Sequence, residues 1–170
     1  DLINASKAWN IAKRYPKVNV AITDTYFDTT HEDLSFTLIG GSNNENVNSV
    51  AHGTFTAGRF GAINNNGKGV ASSGGYNTSL YVSTNWASDA EVLRLAQLGY
   101  RVINCSWINT CSYSTIQNDL YNEIRNIHNT VVIFGAGNGN IHCNGNKAYP
   151  ASYESCVSVT SVGHKYLRGV

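Results

Sequence analysis

The sequence is poor in charged residues, contains no methionine and has only two prolines among its 170 residues. Charged residues make up 14% of the chain, and the formal net charge is +1. A nucleic-acid-binding domain normally carries a clear basic excess, so this balance argues against nucleic acid as a partner. No apolar run approaches the roughly 18 residues that a membrane-spanning helix needs. We therefore expect neither a nucleic acid nor a membrane among the partners.

A second absence concerns the start of the chain. It begins at Asp1, and no charged segment followed by an apolar one, as in a signal peptide, comes after it. Together with the low charge, this favours a start that has been trimmed after removal of a signal. An extracellular, secreted protein is therefore the expectation.

The four cysteines include no Cys-x-x-Cys pair. A zinc ribbon and a thioredoxin-like redox site are therefore both disfavoured. The cysteines are Cys105, Cys111, Cys143 and Cys156. They are compatible with two disulfides in an oxidising compartment or with four buried thiols, and the sequence leaves the pairing open.

What is present is an alternation of strand-like and helix-like segments. Strands are predicted at residues 18–23, 78–83, 101–106, 130–134 and 156–162. Helices are predicted at residues 6–15 and 52–63, and after two capping boxes, Ser88 with Glu91 and Ser114 with Gln117. Residues 40–49 read as a polar loop. Strands separated by whole helices predict an α/β fold with a mostly parallel sheet and helices on both faces. With 42% hydrophobic residues, residues 1–170 are sufficient for a single domain with a real core.

Polar residues follow several of these strands at their carboxyl ends, where parallel sheets bind ligands. Asp24 follows the first strand, Ser106 and Trp107 follow "RVINC", and the segment "GAGNGN" follows "TVVIF". His52 lies at the start of a predicted helix after the polar loop. Each residue alone is more typical of a cap or a solvated side chain, but their joint occurrence indicates a site.

Four segments in this order resemble the signature segments of the subtilisin-like serine proteases, the subtilases. They are "VAITDT…D…HEDL", "HGTFTAG", "VINCSW" and "GAGN…YPASY", and the similarity extends from Val18 to about Gly163. The resemblance implies a subtilisin-like three-layer α/β fold and serine endopeptidase chemistry. It places the catalytic aspartate at Asp24, the catalytic histidine at His52 and the oxyanion-hole asparagine at Asn138.

The same resemblance implies that the substrate is a polypeptide. Ser106, Trp107 and Ile108 would form the strand edge with which an extended peptide pairs its backbone. Three positions depart from the family pattern. Tyr26 replaces a glycine, Phe55 replaces a second histidine, and Ile108 replaces a glycine at the substrate edge. The loop at residues 63–71 is shorter than the calcium-binding loop of many relatives, so no metal or other cofactor is expected, although calcium is known in the family.

The Gly-Thr-Ser-Met-Ala segment that bears the nucleophilic serine in the family is absent from the 170 residues. One explanation is that the chain is the N-terminal part of a protease domain whose remainder supplies the serine and acts as its partner. The alternative is a non-catalytic relative that binds peptides or a partner protein, which Tyr26 and Ile108 favour. In either case, the 170-residue chain alone is expected to be inactive.

Two other function classes deserve comparison. "VVIFGAGNGN" resembles the start of a dinucleotide-binding turn, but Asn140 occupies the third glycine position and a polar loop follows. A metal hydrolase could use Asp28, His31 and Asp33, but there is no His-Glu-x-x-His motif. Acids in a polar loop are more often solvated.

Overall fold

The computed structural model of the protein describes residues 4–42, 52–138 and 143–161. Within these ranges the elements are α1 (Ala5–Ala12), β1 (Val18–Thr23), β2 (Phe36–Gly40), α2 (His52–Gly61), β3 (Thr78–Ser83), α3 (Asp89–Gln97), β4 (Val102–Cys105), α4 (Thr115–Asn126), β5 (Val131–Gly135) and β6 (Val157–Val159). None of the helices in the described ranges has the length and hydropathy that crossing a membrane requires.

The strands form one sheet in the order β2-β3-β1-β4-β5-β6, and the paired strands are parallel. β1 lies inside the sheet between β3 and β4. Because the strands are parallel, their carboxyl ends lie at one edge, which therefore gathers the residues that follow β1, β3, β4 and β5. The α/β fold with a parallel sheet is confirmed.

The side chains of β1 alternate between two buried layers. Val20 and Ile22 pack with Ala57 of α2, whereas Ala21 packs with the residues of α3 and α4 on the other face. Helices therefore cover both faces of the sheet, as predicted. Since side chains alternate along a strand, Asp24 continues the series of Val20 and Ile22 and points to the side of α2.

The opposite face holds the larger core, in which α3 and α4 pack over β1, β4 and β5. Leu95, Tyr121, Ile124 and Phe134 are all at most 1% exposed there. Both helices begin directly after the predicted capping serines. The Ser88 hydroxyl accepts a hydrogen bond from the amide of Glu91 at 3.2 Å, and Ser114 does the same for Gln117 at 3.3 Å.

The structure differs from the sequence predictions at several element ends. β2 was not predicted, because it is an edge strand of five residues, two of them exposed, in which buried and exposed side chains do not alternate regularly. Gly40, assigned to the polar loop, is its last residue, and residues 43–49 of that loop lie outside the described ranges. The first two helices end at Ala12 and Gly61, earlier than expected, and β6 ends at Val159.

The cysteine chemistry matches neither predicted alternative. Cys111 and Cys143 form a disulfide, while Cys105 and Cys156 are free thiols. Burial raises the pKa of Cys105 well above its ordinary value and that of Cys156 to about 12. Both thiols are therefore neutral and unreactive near neutral pH.

Candidate active site

The structure brings Asp24 and His52 into direct contact at the carboxyl edge of the sheet. The Nδ1 atom of His52 lies 2.7 Å from Oδ1 and 2.9 Å from Oδ2 of Asp24. Both distances fall within the range expected for a carboxylate–imidazole hydrogen bond. Asp24 is only 3% exposed, whereas the His52 side chain is 58% exposed. The buried carboxylate thus anchors an imidazole that is open to solvent.

The contact determines which ring nitrogen carries the hydrogen. A carboxylate can only accept, so Nδ1 of His52 donates to Asp24 and Nε2 is left as the basic nitrogen. Asp24 is itself held by the amide and hydroxyl of Thr25, at 2.7 and 3.3 Å, and by the hydroxyl of Thr56 at 3.1 Å. This arrangement suits a general base that becomes positively charged during reaction.

The start of α2 docks closely against the chain that follows Asp24. A Cβ atom on the buried Gly53 would lie 2.3 Å from the carbonyl oxygen of Tyr26, so only glycine allows this approach. One residue further, the hydroxyl of Thr54 accepts a hydrogen bond from the amide of Asp28 at 2.8 Å. Tyr26 contributes its backbone carbonyl to this contact.

A cleft of about 490 Å³ adjoins His52. Its lining residues are His52, Trp86, Ser106, Trp107, Ile108, Gly135, Ala136, Gly137, Asn138, Val159, Thr160 and Ser161. The structure therefore brings His52 together with the predicted substrate edge and with Asn138. Asn138 is exposed, and Gly137 before it has φ +100°, a turn that favours glycine. Gly139, expected to assist that turn, lies outside the described residues.

Trp107 reaches the cleft with only a small part of its surface. It is 8% exposed, its indole Nε1 donates to the Thr23 hydroxyl at 2.8 Å, and its ring packs edge-on against Phe134. Its side chain belongs mainly to the core, so the groove expected at residues 106–108 is bordered by Ser106 and the half-buried Ile108.

Sequence reasoning missed two residues of this region. Trp86 is 51% exposed and lines the cleft three residues after β3 ends, a position comparable to that of Ile108 after β4. Thr56 contacts Asp24 and stands four residues after His52 on α2. Residues four apart share one side of a helix, and this spacing was the available signal for Thr56.

Phe55, the departure from the family pattern that lies on α2, points away from the cleft. It is 59% exposed and lines a separate hollow of about 140 Å³ that includes Leu34 and Val70. It therefore lies outside the lining of the cleft.

Asp28, His31 and Asp33 do not form a common metal-binding group, and no such group of three occurs among the described residues. Asp28 accepts from the amide and hydroxyl of Thr30. Asp33, which is 1% exposed, accepts from Asn66 Nδ2 at 2.7 Å and from the Val70 amide at 2.8 Å. It thereby ties the loop at residues 63–71 to the chain before β2. Its oxygens serve protein contacts, which gives no support to calcium in that loop.

Comparison with known proteins extends these observations. Residues 16–166 match the model of the family described as "Subtilase family". The chain is 31% identical to thermitase from Thermoactinomyces vulgaris in an alignment that covers 94% of this chain. It is also 31% identical to a thermophilic serine proteinase from Bacillus sp. (strain AK1), with 91% of this chain covered. It spans 60% and 41% of these two relatives, respectively.

A solved structure gives the same picture of the fold. The MycP3 protease from the type VII (ESX-3) secretion system superposes with a TM-score of 0.70 at 18% identity. That superposition covers 95% of this chain and 57% of the other.

Proposed function

The chain belongs to the subtilase family, and on this premise we propose that it supplies two members of an Asp-His-Ser triad to a serine endopeptidase. Asp24 and His52 are the two members, and the serine lies beyond residue 170 in the complete domain. The observation that carries the proposal is the contact of 2.7 Å between Nδ1 of His52 and Asp24 beside an open cleft.

The chemistry follows from this geometry. With Nδ1 hydrogen-bonded to Asp24, Nε2 of His52 removes the proton from a serine hydroxyl as the oxygen attacks the peptide carbonyl. The carboxylate stabilises the imidazolium that results, and the imidazolium then returns the proton to the leaving amine. The side-chain amide of Asn138 hydrogen-bonds the oxygen on which negative charge develops. The presence of Asn138 in the lining of the same cleft supports this role.

The 170-residue chain alone lacks the nucleophile in this proposal. Ser106 lies in the cleft, but its hydroxyl accepts a hydrogen bond from Asn104 Nδ2 at 2.9 Å, and within the described ranges no hydrogen bond joins it to His52. A general base without a nucleophile has no covalent route. The C-terminal remainder of the domain is therefore the first partner that we propose.

Polypeptides are the proposed substrates. An extended peptide would pair its backbone with residues 106–108, since β-augmentation reads the main chain and leaves selectivity to the pockets. Ile108 borders the groove at the position of a glycine in relatives, so substrates would pass over an aliphatic side chain. This same residue favours the second candidate function, a relative that binds peptides without cleaving them.

Secretion and independence from cofactors complete the proposal. The Cys111–Cys143 disulfide supports an extracellular location, because disulfides persist in oxidising compartments. We propose no cofactor, since the triad operates without one.

The test compares the 170-residue chain with a product that continues through the remainder of the domain. We expect the longer product to cleave a fluorogenic peptide and to be blocked by a serine-directed acylating reagent, and the short chain to do neither. His52→Ala should abolish cleavage. His128→Ala, which changes a histidine paired with Glu123, is the matched control and should leave cleavage unchanged.

Two outcomes would contradict the proposal. Turnover by the short chain would mean that the nucleophile is among its own serines. A longer product that binds peptides but never cleaves them would establish the non-catalytic function instead.

A further inference from the structure

Thr56 gives the Asp24 carboxylate a hydroxyl contact on the oxygen that His52 approaches less closely. Its Oγ1 atom lies 3.1 Å from Oδ2 of Asp24, while Oδ1 is already bound by the Thr25 amide and by His52, each at 2.7 Å. Oδ2 otherwise has only the longer contact of 2.9 Å with His52 among the hydrogen bonds of the described residues.

The position of Thr56 follows from the helix. His52 and Thr56 are four residues apart on α2, so their side chains emerge on one side, one turn from each other. This side faces the end of β1, where Asp24 continues the row of Val20 and Ile22. One helix thus presents both a ring nitrogen and a hydroxyl to the same carboxylate.

The hydroxyl has one proton and two acceptors within reach. The second acceptor is the carbonyl oxygen of Gly53, 2.9 Å away on the preceding turn. Threonines inside helices often donate to such a carbonyl. A carboxylate is the stronger acceptor, however, because hydrogen bonds to ionised groups are roughly twice as strong as neutral ones. Asp24 is also 3% exposed, so water competes little for its oxygens.

We infer that the Thr56 hydroxyl donates to Asp24 and is a positioning residue that fixes the plane of the carboxylate against Nδ1 of His52. The inference rests on the proposed function for its catalytic meaning, but the contact itself does not require a nucleophile. Thr25 holds one carboxylate oxygen and Thr56 the other, so the carboxylate cannot rotate about its Cβ–Cγ bond. Thr56 does not line the cleft. Its loss should therefore affect the chemical step and leave peptide binding unchanged.

The test uses two substitutions in the 170-residue chain. Thr56→Val keeps the branched shape and removes the hydroxyl, and Thr56→Ser keeps the hydroxyl and removes the methyl group. The readout is the exchange with solvent of the Nδ1 proton of His52, followed by NMR in protein labelled with ¹⁵N-histidine. We expect exchange to accelerate about tenfold in Thr56→Val, the effect of losing one typical hydrogen bond, and to stay at the original rate in Thr56→Ser.

The result that would overturn the inference is an unchanged exchange rate in Thr56→Val, since the hydroxyl would then serve only Gly53. Urea unfolding of both variants, measured alongside, separates a local effect from a general loss of stability. Equal acceleration in both variants would also contradict the inference, because the hydroxyl would not be the cause.

The longer product provides the catalytic readout. There, Thr56→Val should lower kcat about tenfold with KM within twofold, and Thr56→Ser should restore kcat. An inert longer product would refute the proposed function while the exchange experiment still decides the role of Thr56.

Discussion

Replacing Gly53 with alanine should separate His52 from Asp24 without touching either side chain. The added Cβ would lie 2.3 Å from the carbonyl oxygen of Tyr26 and 3.0 Å from the ring of Phe27. Real Cβ atoms essentially never approach closer than 3.0 Å, so the start of α2 must move by at least 0.7 Å, the difference between 3.0 and 2.3 Å. The obstacle is backbone, which cannot turn aside as a flexible side chain can.

A shift of that size is sufficient to break the contact. Applied along the hydrogen bond, it lengthens the 2.7 Å distance between Nδ1 of His52 and Asp24 to about 3.4 Å, beyond the usual range of hydrogen bonds. Overpacking of this kind costs about 1–3 kcal/mol of folding free energy. We therefore expect Gly53→Ala to be destabilised by that amount. We also expect the Nδ1 proton of His52 to exchange faster with solvent in this variant.

The assay is urea unfolding combined with NMR of the His52 ring. Gly58→Ala is the matched control, because a Cβ there would meet Val70 at 3.5 Å, an ordinary contact, and alanine favours the helix by about 0.5–1 kcal/mol. The claim that a Cβ at position 53 displaces the start of α2 would be refuted by two results together. These are an unfolding midpoint in urea equal to that of Gly58→Ala and an unchanged exchange rate of the His52 Nδ1 proton.

Two further perturbations test the surroundings of the site. Hydrogen bonds from the Val70 amide, and secondly from Asn66, hold the pKa of Asp33 below its ordinary value. The ionised carboxylate therefore stabilises the fold above the unfolded pKa, and this stability is lost as the pH falls through the folded pKa, which urea unfolding between pH 6 and pH 2 should show. Asp33→Asn should lower the free energy of unfolding at pH 6 by about 1.5–3 kcal/mol and make it less dependent on pH. Trp107→Phe should cost about 1–3 kcal/mol because it leaves the buried Thr23 hydroxyl without its donor, and equal unfolding midpoints for the variant and the original chain would contradict this.

Much of the site could be predicted from the sequence because its residues follow signals that are local. Asp24 stands at the end of an apolar strand, and His52 begins a helix after a polar loop. The parallel topology then requires that the ends of neighbouring strands meet. The pairing of Asp24 with His52, 28 residues later, was implied by the resemblance to the subtilases and not by these local signals.

The remaining features depend on packing between segments that are distant in sequence. The indole of Trp107 turns into the core because a hydroxyl 84 residues earlier accepts its hydrogen. The sequence prediction for residues 106–108 concerned the backbone at the groove, and the burial of the Trp107 side chain was not predicted. Likewise, β2 carries too few buried residues to produce a clear pattern, and it is recognisable only through its pairing with β3.

The disulfide between Cys111 and Cys143 determines what a single cut of the backbone would do to the molecule. It closes a covalent ring across a sequence separation of 32 residues, and the ring contains α4 and β5. Residues 106–110 directly precede the ring, and Asn138 lies within it. The two borders of the cleft that these residues form therefore adjoin the ring or belong to it. A single cut of the backbone inside the ring would leave both pieces joined and the borders of the cleft attached to each other. A first nick inside the ring would therefore not release a fragment.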